Sequence, residues 1–299
     1  LVSEEAIPIL NSRVTCDSPE PISEGGDKVQ LNLTMNNGRK IPQLGLGVWK
    51  ITEPGSCYSA VRTALEIGYR HIDTASAYKN EAEVGKAIRD SKIPRSEVFL
   101  TTKLWNSHQG YETALKACER SVTELGIGAV DLYLVHYPVP ELRLESWRAL
   151  IELKRRGLTK SIGVSNFMIP HLRELLATFE EKPVINQVEF HPFLYQKELM
   201  DYCHANTILL EAYSPLAHGQ KVQDPKISAI AKNYGKTNAQ VLIRWGIEHG
   251  LVMIPKSSNG KRIKENFEVF DFHLTPEHMA QMDSWNEDLR TCWDPSSEP

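Results

Sequence analysis

Tyr69-Arg70-His71-Ile72-Asp73-Thr74-Ala75-Ser76-Ala77-Tyr78-Lys79-Asn80-Glu81 reads as a short buried strand, His71 to Thr74, that runs into a polar loop carrying Tyr78. A helix is expected to begin near Asn80, whose side-chain oxygen suits an N-cap. An aspartate at the C-terminal end of an apolar strand is costly unless a cation meets it. Asp73 is therefore a candidate site residue whose partner must come from elsewhere in the chain.

The same theme, a short apolar strand followed by a polar loop and an amphipathic helix, recurs on both sides of this stretch. Strands are expected at 44–47, 71–73, 98–102, 130–135, 161–164, 184–188, 208–212 and 252–254. Between them, Val61, Ala64 and Leu65 share a helical face that Gly68 ends, and Leu115, Cys118, Val122 and Leu125 make a second stripe. Trp147, Leu150 and Ile151 make a third, closed by Gly157, and Leu172, Leu175 and Leu176 follow Pro170 in a first helical turn. Helices are also expected at 227–234, 239–249, 261–267 and 276–284. Eight strands alternating with helices over about 250 residues predict an α/β fold, a (β/α)8 TIM barrel. The rival, a doubly wound sheet, lacks its fingerprint: Gly45 and Gly47 are present, but Lys50 stands where the third glycine belongs. Val29-Gln30-Leu31-Asn32-Leu33 and the turn Asn36-Asn37-Gly38 predict a β-hairpin, expected to cap the barrel bottom.

Residues 1–27 are polar and acidic, with three prolines and Gly25-Gly26, and read as a loosely ordered extension. Residues 28–299 read as a single barrel domain. The chain starts at Leu1 rather than Met, so an upstream segment is expected. At 299 residues and 41% hydrophobic it can bury a full core. A net charge of -4 gives no footprint for nucleic acid or an anionic membrane, and no apolar run approaches the ~20 residues that span a bilayer. Five scattered cysteines form no disulfide framework, which favours a reducing, cytoplasmic setting.

In a barrel the chemistry sits at the C-terminal ends of the strands. There the sequence offers Asp73 with Tyr78, then Lys103, then His136, then Ser165-Asn166, Gln187, Tyr213-Ser214 and Lys256-Ser257. Together Asp, Tyr, Lys and His make a coherent acid site. A free phenol, with a pKa of about 10, is a poor proton donor near neutrality. An ammonium about 4 Å away, at an effective dielectric of ~20, stabilises a phenolate by up to roughly 4 kcal/mol, or about three pKa units. Asp73 is thus expected to hold Lys103, Lys103 to acidify Tyr78, and His136 to orient an incoming carbonyl. Lys256, Lys261 and Arg262 concentrate positive charge at a helix start, a setting for a phosphate.

From about residue 29 to 289 the chain resembles the aldo-keto reductase superfamily. The resemblance rests on Gly68 to Tyr78, Thr102-Lys103-Leu104-Trp105, His136, Gly163-Val164-Ser165-Asn166-Phe167, Asn186-Gln187, Tyr213-Ser214-Pro215-Leu216 and Ile254-Pro255-Lys256-Ser257. It implies an NADPH-dependent carbonyl reductase whose tetrad is Asp73, Tyr78, Lys103 and His136, with Tyr78 as proton donor and hydride passing from the nicotinamide to the carbonyl carbon. It further implies that Ser165, Asn166 and Gln187 hold the carboxamide and that Tyr213 stacks on the nicotinamide. Ser214 and Leu216 would line the pyrophosphate, and Lys256, Ser257, Arg262, Glu265 and Asn266 the adenosine end. With the basic helix start, a 2′-phosphate favours NADPH over NADH. No metal is called for. Histidine at 136 implies C=O reduction, because the relatives that reduce steroid C=C bonds carry glutamate there.

The segments 139–146, 217–225 and 290–299 are compact where many relatives carry long loops. An open, shallow pocket for varied small aldehydes and ketones is therefore expected, with Trp49 and Trp105 as apolar walls. Trp293 reads equally as a lid and as a frayed end. A monomer is expected. Two rival readings remain: a non-catalytic NADPH-binding scaffold of the same fold, and a lyase using Lys103 as a Schiff base, which the charge imposed by Asp73 disfavours.

Overall fold

The computed structural model describes residues 31–298; the extension at 1–27 and the first residues of the expected hairpin lie outside them. β1 (Asn32–Thr34) and β2 (Lys40–Pro42) pair antiparallel, with Leu33 opposite Ile41. Eight parallel strands follow, each bonded to the next: β3 (Leu46–Gly47), β4 (His71–Asp73), β5 (Phe99–Leu104), β6 (Leu132–Val135), β7 (Ile162–Ser165), β8 (Ile185–Glu189), β9 (Leu209–Tyr213) and β10 (Val252–Met253). Bridges between Leu44 and Met253 and between Gly47 and Lys256 join the last strand to the first. Gly45 N donates to Met253 O at 2.8 Å across that seam. The sheet is thereby closed into the expected (β/α)8 barrel, and no edge is left unpaired.

The helices are α1 (Ser56–Ile67), α2 (Glu81–Asp90), α3 (Tyr111–Leu125), α4 (Arg143–Arg155) and α5 (Ile169–Thr178). After them come α6 (Lys197–Ala205), α7 (Pro225–Tyr234), α8 (Asn238–Glu248), α9 (Gly260–Phe267) and α10 (Pro276–Asp283). Their apolar stripes make the core against the outer face of the strands. Val61, Ala64 and Leu65 of α1 are buried, as are Leu115, Cys118 and Leu125 of α3. Gly68 ends α1 at φ 126°, a conformation that a side chain resists. A capping box, Thr237 with Gln240, starts α8.

Several strands end later than apolar patterning predicts: 98–102 becomes Phe99–Leu104 and 208–212 becomes Leu209–Tyr213. The backbone of residues with polar side chains on the inner face still makes ladder hydrogen bonds, so the strand continues where the apolar run has stopped. Asn80 also departs from expectation. It stands in the N-cap position of α2 but its side chain caps nothing. Instead Oδ1 accepts from Thr74 Oγ1 at 2.7 Å and Nδ2 donates to Val48 O at 3.1 Å. These tertiary partners, stitching the loop after β4 to the loop after β3, displace the local cap.

The barrel has two different ends. At the bottom Met35 and Ile41 of the hairpin segment pack against Leu132, Leu134, Ile185 and Val252. Asn36 Nδ2 donates to Pro183 O at 2.9 Å and Asn37 Nδ2 to Ser161 Oγ at 3.0 Å. The hairpin plugs this end as expected, and the top, where the strands finish, is polar. Among the described residues no helix is long and apolar enough to cross a membrane.

The helix ring depends on one close approach. A Cβ added to Gly85 of α2 would lie 1.8 Å from Leu125 O at the end of α3. That oxygen is backbone and cannot swing away, so Gly85→Ala is expected to destabilise the fold by about 3 kcal/mol. Urea unfolding of the two proteins measures this, and equal midpoints would refute the contact.

Candidate active site

Asp73 meets its cation on the neighbouring strand. Lys103 Nζ lies 2.6 Å from Asp73 Oδ1, donates to Thr74 O at 2.8 Å and reaches the Tyr78 hydroxyl at 3.4 Å. Both members of the ion pair are buried, at 0% and 2% side-chain exposure, so water cannot screen it. Tyr78 closes a short 3-10 turn, Ser76–Tyr78, that Ser76 Oγ pins by donating to Lys103 O at 3.0 Å. His136 follows β6, its ring edge-on to Tyr78 with centroids 5.8 Å apart. The four residues from four places in the chain therefore converge.

The electrostatics differ from expectation at Tyr78. Burial raises its phenol well above the usual tyrosine range, and the charges of Asp73, Cys292 and Glu211 add to that. Lys103 Nζ lies 0.8 Å closer to Asp73 Oδ1 than to the Tyr78 hydroxyl (2.6 against 3.4 Å), and burial, which disfavours a phenolate, works against the acidification expected from it. Burial likewise raises Asp73, against the pull of Lys103. Burial and then Lys103 hold His136 well below the usual histidine range, so its ring is neutral, and Nδ1 has no partner among the described residues.

The strand ends beyond the tetrad form one connected wall. Asn166 sits at φ 65°, a left-handed conformation that asparagine tolerates, and its Nδ2 donates to His136 O at 2.9 Å. The Tyr213 hydroxyl donates to Asn166 Oδ1 at 2.8 Å, and Ser165 Oγ to Gln187 O at 2.8 Å. Gln187 Nε2 donates to both Asp73 Oδ2 and Glu211 Oε2, each at 2.8 Å.

A cleft of about 1520 Å³ runs from this wall to the start of α9. Asp73, Tyr78 and His136 line one end; Ser165, Asn166, Gln187, Tyr213, Ser214 and Leu216 line the middle. Lys256, Ser257, Arg262, Glu265 and Asn266 line the far end. Lys103 is hidden behind Tyr78 and Asp73. At the far end Lys256, Lys261 and Arg262 make no ion pair among the described residues. The helix start itself is less free than expected, since Asn259 Oδ1 already accepts from the backbone N–H of Lys261 and Arg262 at 3.0 and 3.2 Å. Glu265 Oε1 accepts from Thr237 Oγ1 at 2.7 Å.

Trp49 lines the cleft, and Trp105 packs edge-on to His136 with ring centroids 5.2 Å apart and lies 5.8 Å from the Trp293 ring. The short tail is anchored: the backbone N–H groups of Thr291 and Cys292 donate to Glu189 at 2.9 and 3.0 Å, and the Thr291 hydroxyl does so too. The Tyr137 hydroxyl donates to Asp294 O at 3.3 Å. Trp293 is thus held against His136 and Trp105, and a wall arises that loop lengths alone do not predict. Sequence reasoning gave no role to Glu189, Glu211 and Cys292, nor to His218, which lines the cleft with Nε2 3.4 Å from Cys292 Sγ. The two glutamates could have been found, since they sit at inward positions of strands already recognised; the tail contacts carry no local signal.

A sequence model of the Aldo/keto reductase family matches residues 43–287. The chain belongs to that family. It is 48% identical over 273 residues to the "Uncharacterized oxidoreductase YtbE" of Bacillus subtilis, covering 90% of this chain and 98% of the relative. It is 47% identical over 256 residues to the glyoxal reductase of the same organism, covering 86% and 93%. The aldo-keto reductase of Bombyx mori, solved in complex with NADP, superposes with a TM-score of 0.83 at 36% identity, covering 88% of this chain and 95% of that one. The chain is an oxidoreductase of the aldo-keto reductase family, and carbonyl reduction is the chemistry of that class.

The ion pair makes a prediction of its own. Lys103→Met leaves Asp73 buried and unpaired and is expected to cost about 3–5 kcal/mol of stability. Adding Asp73→Leu removes the orphan charge and is expected to recover much of that loss. Denaturant titration of the single and double variants decides it: a double variant no more stable than the single one would mean that the charge was never buried.

Proposed function

We propose that the chain is an NADPH-dependent reductase of aldehydes and ketones, with Asp73, Tyr78, Lys103 and His136 as its catalytic residues and Tyr78 as proton donor. The observation that carries this reading is the Lys103 ammonium held between Asp73 Oδ1 and the Tyr78 hydroxyl, at 2.6 and 3.4 Å. The Bombyx mori relative was solved with NADP, and the residues present fit such a group. A long cleft ends at cations that have no ion-pair partner among the described residues, and the buried amide wall beside the tetrad offers polar atoms to a carboxamide. Ser165, Asn166 and Gln187 would hold the carboxamide, Tyr213 would stack on the nicotinamide, and Ser214 and Leu216 would border the pyrophosphate. Ser257, Glu265 and Asn266 would receive the adenosine, and Lys256 and Arg262 the 2′-phosphate. When bound, the cofactor supplies hydride.

The protein's part is the proton. A carbonyl oxygen between the Tyr78 hydroxyl and the neutral His136 ring gains negative charge as its carbon is reduced. Tyr78 then passes its proton to that oxygen, and Lys103 steadies the phenolate left behind. The raised pKa does not block this step, because an alkoxide is a far stronger base than a phenolate. It keeps Tyr78 protonated at neutral pH, the form that reduction needs. Trp49 and Trp105, joined by Trp293, would wall the small carbonyl substrate; the glyoxal reductase of Bacillus subtilis suggests glyoxal as a first one. We also infer that residues 28–299 act as one domain and work as a monomer.

Tyr78→Phe is expected to lower kcat for glyoxal reduction by at least about 100-fold while the NADPH Kd stays within about 2-fold. An inactive wild type that binds NADPH would instead support a non-catalytic scaffold. Arg262→Ala is expected to weaken NADPH by about 10-fold or more, the worth of a charge-assisted contact, and NADH hardly at all. Equal losses for the two cofactors, read by fluorescence titration, would refute the 2′-phosphate assignment.

A further inference from the structure

We propose that Glu211 is a positioning residue of this site: paired with Asp73 across Gln187, it holds the Gln187 amide with its carbonyl oxygen free for the carboxamide N–H of the nicotinamide. The inference rests on the reductase reading above and adds to it a residue that carries no recognised motif role.

Gln187 and Glu211 are register partners on β8 and β9, and both side chains point into the barrel. The Gln187 Nε2 has two hydrogens, and both are committed to carboxylate oxygens, Asp73 Oδ2 and Glu211 Oε2, at 2.8 Å each. With both carboxyls ionised, turning the amide over would bring its oxygen against those same two acceptors with no hydrogen between them. Oε1 is therefore left for the cleft that Gln187 lines. Asp73 alone holds only one of the two hydrogens, and its other oxygen belongs to Lys103. Glu211 supplies the second tether.

Packing gives no reason for a glutamate here. Glu211 is fully buried, its Oε1 has no hydrogen-bond partner among the described residues, and its neighbour on the β10 side is Val252. A carboxyl in that setting lowers stability relative to an apolar residue of its size, so its contribution is to be sought in the site. The groups that face it are His71 and Asp73 on β4, Lys103 on β5, Gln187 on β8 and Tyr78 in the turn after β4. His71 Nε2 lies 3.5 Å from Oε1, and burial keeps that imidazole neutral. Burial and the Asp73 charge raise the Glu211 carboxyl, which thus gains and loses its proton nearer neutrality than a free glutamate. Its negative charge, once formed, opposes negative charge on Tyr78.

The test compares wild type, Glu211→Ala and Glu211→Gln for NADPH Kd by fluorescence titration and for the pH dependence of kcat/KM with glyoxal. Glu211→Ala is expected to raise the NADPH Kd by about 10-fold. Glu211→Gln, whose amide oxygen still accepts from Gln187, is expected to stay within about 2-fold of wild type. The same variant should lose the alkaline fall in kcat/KM that Glu211 ionisation produces, a readout that packing would not move. An unchanged Kd in Glu211→Ala, or a pH profile of Glu211→Gln that overlays wild type, would overturn the proposal. Should Glu211→Ala not fold by circular dichroism, the Glu211→Gln profile decides alone. A wild type that fails to bind NADPH would sink the reductase reading instead, a separate outcome.

Discussion

A lysine ammonium inside a barrel is tolerable only beside a carboxylate, and that constraint organises the top of this molecule. Lys103 lies on β5 two residues beyond Thr101, the register partner of Asp73 on the adjacent β4, so the pair forms from the sheet itself without help from loops. Once the pair exists it fixes the neighbours: the turn that carries Tyr78 bonds to the Lys103 backbone, and the second Asp73 oxygen takes the Gln187 amide. A buried pair of this kind adds little net stability. Its value lies in geometry, with three oxygens set around one nitrogen.

The barrel interior is divided accordingly. The lower layer of leucine, isoleucine and valine, sealed by the hairpin, supplies burial without polar atoms. The upper layer holds Asp73, Lys103, Gln187 and Glu211, all nearly fully buried, and burial raises both the Asp73 and the Glu211 carboxyls. In such a layer burial and the neighbouring negative charges of Asp73 and Glu211 both raise the Tyr78 phenol. Proton transfer then waits for the stronger base that forms when a carbonyl is reduced.

The tail adds the last piece. Glu189, two residues beyond Gln187 on the same inward face of β8, captures the backbone of Thr291 and Cys292 and so delivers Trp293 to the tetrad. Short loops alone leave the pocket open; an anchored tail gives it an aromatic wall while Trp293 stays half exposed, at 48%.

The sequence alone determined the eight strand–helix repeats, the hairpin, and the candidate residues at the strand ends, because apolar periodicity and capping residues act over a few positions and leave a local record. It also gave the order in which Asp73, Tyr78, Lys103 and His136 occur. The tertiary structure decided what those residues feel. Asn80 exchanged a helix cap for two distant partners, Asn259 took amides that an anion was expected to use, and Tyr78 was shifted upward rather than down. The tail entered the site at all only through folding. Each of these depends on burial and on distances between residues far apart in the chain, quantities that a sequence read position by position does not contain.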